Sequence, residues 1–144
     1  MTDIAPQPAP SPPHPGWVLI EDTGFLGHIG PIWRLDRDSA PALLGFDAAD
    51  HHRNTNGVVQ GGMLMTLADR GMGMAAHGAS RTPVATISFT FDFLAAAEIG
   101  RFVELHPEVI RMTGGMVFME GRLFDGDALI GRASGVWKRL KPRR

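Results

Sequence analysis

GVVQGGMLMTLADRG, residues 57–71, decides the reading of this chain. Two glycines open an apolar run, and Asp69 interrupts it about two turns in. From residue 61 to about residue 77 the only polar side chains are Thr66, Asp69, Arg70 and His77. That spacing predicts one long helix over 61 to about 77. Glycine and alanine give it only moderate intrinsic propensity, so burial has to supply its stability. Its small side chains let other backbone approach closely, which suits a helix wrapped by a sheet.

Downstream of Pro83 the period changes from helical to alternating. Thr86, Ser88, Thr90 and Asp92 alternate with Ile87, Phe89, Phe91 and Phe93, which predicts a strand with its aromatic face turned inward. Residues 102–110 alternate more loosely. Residues 116–124 and 128–140 flank Asp125-Gly126-Asp127, a hairpin signal. Upstream, residues 50–57 are polar and turn-rich, hence a loop, and 27–35 and 41–46 have the composition of short strands. The order predicts an α+β domain: one long central helix against an antiparallel sheet of five or six strands. Six of the eleven prolines fall in residues 1–15, which are expected to form a disordered tail ahead of a single folded domain at 16–144.

Composition narrows the function. A chain of 144 residues has room for one modest core. A net charge of -1 gives no general attraction to nucleic acid or to an anionic membrane. With no cysteine, thiol catalysis, disulfides and thiolate metal sites are excluded. No apolar run approaches the ~20 residues that span a bilayer, and the first residues lack the apolar segment of a signal peptide. A cytoplasmic protein with neither nucleic-acid nor membrane partners is expected. The basic run KRLKPRR at 138–144 reads either as a solvated tail or as a landing site for phosphates.

Two features of the long helix carry chemistry. The first backbone N–H groups of a helix have no internal acceptor, and the macrodipole makes that end positive. Gly61 and Gly62 would let a ligand oxygen reach those donors, as a developing oxyanion requires. The plain alternative is a tight turn into the helix. Asp69 shares a face with Gly62, Met65, Thr66, Met72, Gly73 and Ala76, so its carboxylate would lose part of its hydration, as suits a general base or nucleophile. Its plain alternative is a solvated charge beside Arg70. Gly61 and Asp69 are eight residues apart, ~12 Å along one helix. If both act on one carbonyl, they come from two copies of the chain, at a two-fold interface.

The stretch NTNGVVQGGMLMTLADRGMGMAA, followed by TISFTFDFLAAAEIG and a closing strand pair around DGD, resembles the hotdog-fold acyl-CoA thioesterases of the phenylacetate-pathway (PaaI-like) type. The likeness runs from about residue 24 to 140. The family pattern is an asparagine, a short loop, His-Gly-Gly, and an aspartate nine residues after the histidine. Here Asn54, Gln60-Gly61-Gly62 and Asp69 stand at that spacing, and Thr86 matches the family's hydroxyl residue on the next strand. The resemblance implies a homodimer whose sheets join edge to edge, or a pair of such dimers, acting on an acyl-CoA or acyl-carrier thioester. It implies that Gly61 N–H of one subunit polarises the carbonyl. Asp69 of the other would activate water or attack directly, Thr86 would position that water, and Asn54 would steady the loop or the acyl group. Gly62 and Thr66 at the helix start, and Gly114-Gly115 in a turn where the family places pantetheine or nucleotide, are expected to bind substrate.

Gln60 departs from the pattern: it can donate a hydrogen bond but cannot carry a proton. Two rival readings therefore stand beside hydrolysis, a non-catalytic acyl-CoA binding module and a hotdog dehydratase or hydratase. Asp50, His51 and His52 adjoin on a loop, and His77 and His106 are isolated, so no metal and no cofactor are expected. The Met63, Met65, Met72 and Met74 cluster reads either as an adaptable apolar pocket or as plain core.

Overall fold

The computed structural model describes residues 14–142, so most of the expected tail, 1–13, lies outside the described residues. His14 accepts a hydrogen bond from Trp17 N–H (3.3 Å) and sets its ring edge-on to Phe102, 5.5 Å between centroids. The elements follow as β1 (Trp17–Leu19), α1 (Phe25–Ile29), β2 (Trp33–Leu35), β3 (Leu43–Asp47), α2 (Gly61–Ser80), β4 (Val84–Phe93), β5 (Phe102–Met112), β6 (Met116–Asp125) and β7 (Ala128–Arg139). The strands form one antiparallel sheet in the order β1-β2-β3-β5-β6-β7-β4, and α2 packs against one face of it. This is the hotdog arrangement.

Seven strands replace the five or six expected. β1 went unseen because three residues are too few to show a period. The segment 27–35 is a strand only at its end. Asp22 accepts the Gly24 N–H (2.6 Å), and the chain turns through α1 before it pairs. The long helix runs three residues past the expected end, stopping where Arg81 adopts φ 54°.

Burial explains α2. Its buried stripe includes Met63, Leu64, Leu67, Ala68, Met72 and Ala76, which meet Leu105, Val117, Met119, Leu123 and Trp137 of the sheet. Of the four methionines, Met63 and Met72 are core, while Met65 and Met74 are half-buried. Close approach depends on Gly71, where an added Cβ would sit 2.1 Å from Leu105 Cδ2. Gly71→Ala is therefore expected to destabilise the fold, because an overpacking penalty of about 1–3 kcal/mol exceeds the ~1 kcal/mol gained in helix propensity. Gly78→Ala, in the same helix with no atom of the described residues within 4 Å of the new Cβ, is expected to stabilise it. Opposite shifts of the urea midpoint check the pair; equal shifts contradict close packing at Gly71.

The alternation expected in β4 is broken. Its pairing with β7 slips between Thr86 and Ser88, so that Thr86 faces Trp137 and Ser88 faces Val136. Trp137 and Val136 point to opposite sides of β7, hence Thr86 turns toward the helix while Ser88 and Thr90 stay outside. Nor is the aromatic face wholly inward. Phe89 and Phe91 pack on the core, but Ile87, in the bulge, and Phe93, at the strand end, are 51% and 52% exposed. The physical reason is position: β4 is an edge strand of the sheet, and among the described residues no strand pairs with its outer side.

Candidate active site

The bulge brings two of the expected residues together. Thr86 Oγ1–H donates to Asp69 Oδ1 at 2.6 Å. Asp69 is half-buried on the flank of α2 and lines a cavity of about 510 Å³ with Arg70, Gly73, Met74, His77, Pro83, Val84 and Thr86. The carboxylate keeps its second oxygen for another proton, as a general base needs, while Thr86 fixes its rotamer. Its neighbour Arg70 points to the same cavity, but no ion pair joins them among the described residues.

The other expected group collects at the start of α2. Gln60 is the N-cap, and its side chain makes no capping bond, so the first N–H groups of the helix remain donors. Gly62 is exposed, and Gly61 lies under the Phe93 ring, whose Cε1 would be 3.0 Å from an added Cβ. Thr66 spends its hydroxyl on Gly62 O (2.8 Å). Asn54 does the same locally: its Oδ1 accepts from Asn56 N–H (2.9 Å) and Val58 N–H (3.3 Å), and its own N–H donates to Val58 O (2.7 Å). These bonds close the loop ahead of Gln60 and are those of a loop asparagine bonded to its own backbone. Gly61 does not line the Asp69 cavity. Along α2 the N-terminal donors and the Asp69 carboxylate thus stand about two turns, ~12 Å, apart.

Before α2 sits a residue that the sequence considered only as a metal ligand. His52 is buried, its Nδ1 accepts Ala49 N–H (3.0 Å), and its Nε2–H donates to the Ile29 carbonyl at the end of α1. The Ala49 bond requires a bare Nδ1, so the ring is neutral, and the His52 carbonyl accepts Gln60 N–H (2.8 Å). Burial holds its pKa below the ordinary 6.5; the Ile29 bond opposes the shift and the adjacent His51, 3.9 Å away ring to ring, adds to it. The unfolded chain therefore takes up this proton at higher pH than the fold does. Stability from His52 is complete above 6.5 and is lost as the pH falls below it. His52→Gln is expected to be less stable at pH 7.5 yet to lose less on going to pH 5.5, read from urea midpoints. An unchanged pH slope would show that another group senses the acid.

Gly114 and Gly115 lie exposed in the β5–β6 turn, held by Thr113 and by Arg139, whose Nη1 donates to Thr113 O (2.8 Å). Among the described residues no hydrogen bond or ion pair links this turn to Asp69. Arg139 belongs to the basic C-terminal run, so part of that run is structural; Lys138 and Lys141 remain exposed, and 143–144 lie outside the described residues. His77, expected to stand alone, lines the Asp69 cavity and donates Nδ1–H to Thr82 O (2.8 Å). Its signal was present: Asp69, Gly73 and His77 are spaced i, i+4, i+8. His51 Nε2 meets Gly30 O (3.0 Å), so both adjacent histidines anchor the loop to the end of α1.

Residues 56–131 match the profile of the thioesterase superfamily. A protein of Pseudomonas aeruginosa named "Putative esterase PA0474" is 31% identical over 121 residues, covering 83% of this chain and 90% of its own. Among solved structures, the Escherichia coli PaaI protein from the phenylacetic acid degradation operon superposes with TM-score 0.72 at 19% identity, over 81% of each chain. The smu.793 protein of Streptococcus mutans, bound to acetyl CoA, superposes with TM-score 0.71 at 12% identity, over 77% of this chain and 90% of that one.

Proposed function

We propose that this chain, which belongs to the thioesterase superfamily, hydrolyses the thioester of an acyl-CoA at a site completed by two copies of itself. The observation that carries the reading is the Thr86–Asp69 hydrogen bond at the mouth of a cavity, with the uncapped donors of the same helix ~12 Å away. In the two-copy site the thioester oxygen accepts from Gly61 N–H of one subunit. Water held near Asp69 of the other attacks the carbonyl carbon and passes its proton to the carboxylate. The oxyanion collapses, the C–S bond breaks, and the thiolate leaves with that proton. Supporting the pairing, β4 is a ten-residue edge strand with Ile87 and Phe93 exposed, the kind of edge that another strand covers. The acetyl-CoA bound to the Streptococcus mutans protein supports a CoA thioester as the substrate class. No described helix is long and apolar enough to cross a membrane.

Release of free thiol, followed across straight-chain and aromatic acyl-CoAs, tests the proposal. Steady release with any of them supports hydrolysis. Gln60 favours one second reading, the binding module, because it brings no proton carrier to the donor loop. Saturable binding of acyl-CoA without thiol release would decide for that reading.

A further inference from the structure

Trp137 of β7 brings a hydrogen-bond donor to the floor of the Asp69 cavity. Its side chain is 1% exposed and packs on Phe89, 6.4 Å between ring centroids. Its partner across the β4–β7 ladder is Thr86, the residue that the bulge turns toward α2. On the helix side the polar edge of the indole faces Gly73: a Cβ added there would be 3.2 Å from Nε1 and 3.8 Å from Cδ1. Gly73 lines the Asp69 cavity and follows Asp69 by one helical turn. Among the described residues no acceptor takes the Trp137 N–H. A buried donor left unpaired is costly, which marks this one for an acceptor that enters the cavity.

We infer that Trp137 holds the attacking water, its Nε1–H donating to the water oxygen; this rests on the hydrolytic reading of the site. Thr86 has spent its one hydroxyl proton on Asp69 Oδ1, so it has none to give, although its oxygen still accepts. Asp69 Oδ2 is an acceptor too. A water between them finds acceptors for both of its protons and lacks a donor, which the indole supplies. Side chains four apart on a helix have Cβ atoms ~5–6 Å apart, so one water spans the gap from the carboxylate to a donor seated at position 73. The second lone pair of the water is left for the thioester carbon. As the new C–O bond forms, a water proton passes to Asp69, and the indole keeps its own. Gly73 is needed because a side chain there would stand between the N–H and the water.

Two variants and one spectrum test this. Trp137→Phe removes the N–H but keeps an aromatic ring in the core. It is expected to lower kcat about 5–10-fold, the worth of one neutral hydrogen bond, with KM unchanged. Gly73→Ala keeps the N–H but covers it, and is expected to lower kcat by a similar factor without loss of stability, alanine being the better helix former. In the double variant the two losses should not multiply, because each removes the same bond. The indole N–H resonance that disappears in Trp137→Phe should show a cross-peak to bound water in the native protein and lose it in Gly73→Ala. A native kcat in Trp137→Phe, losses that multiply, or an N–H without contact to water overturns the water site. Native turnover is scored separately: a failed water site leaves it intact, and a failed hydrolytic reading leaves none.

Discussion

Asp69→Asn is expected to lower acyl-CoA turnover by ~10²-fold or more while the protein keeps its fold and its affinity for substrate, the magnitude typical of losing a general base. The change is nearly isosteric. An amide oxygen at the same place still accepts the Thr86 hydroxyl, which now donates to Asp69 Oδ1 at 2.6 Å. The half-buried side chain belongs to the flank of α2 rather than to its core stripe, so little packing depends on its charge. What the amide cannot do is take a proton from water. Kinetics with a cleavable acyl-CoA, alongside urea unfolding of the same preparation, separates the outcomes. Near-normal turnover would make Asp69 a structural partner of Thr86 and remove it from the chemistry.

The second large effect is expected at the start of α2. Gly61→Pro deletes one N–H and should cost ~10²–10³-fold in turnover, the range found for loss of one oxyanion donor. The backbone permits it. Proline is well accommodated at the first helical position, and Gln60, at φ -57° and ψ 132°, already has the extended geometry that a residue before proline adopts. Gly61→Ala is the control: its Cβ meets the same Phe93 ring, half-exposed and free to yield, but it retains the N–H. Proline crippled and alanine active isolates the donor. Both crippled would mean that contact with Phe93, not the N–H, governs this end.

The long helix and the four long strands were legible because their periods extend over many residues and end at strong punctuation such as Pro83 and the Gly126 turn. β1 and β2, three residues each, carry no period to read. The bulge at Ile87 was invisible for a different reason. Alternation describes a regular strand, and only the pairing with β7 shows the slip that turns Thr86 to the helix. So the Asp69–Thr86 partnership could be expected from resemblance but not from the pattern of residues 86–93, which placed Thr86 on the outer face. The buried role of His52 was not legible because burial of one of two adjacent loop histidines depends on α1, whose last three residues the sequence read as strand.

The central claim is that one site draws its donor from one chain and its base from another. Mixing the two crippled variants, Gly61→Pro and Asp69→Asn, after joint unfolding and refolding tests it most directly. In a mixed pair, one site inherits both defects and the other inherits neither. Random association of equal amounts is therefore expected to recover about a quarter of wild-type turnover, since half of the pairs are mixed and each holds one intact site. Turnover no higher than the mean of the two variants assayed alone, from a mixture shown to have exchanged subunits, would contradict a shared site.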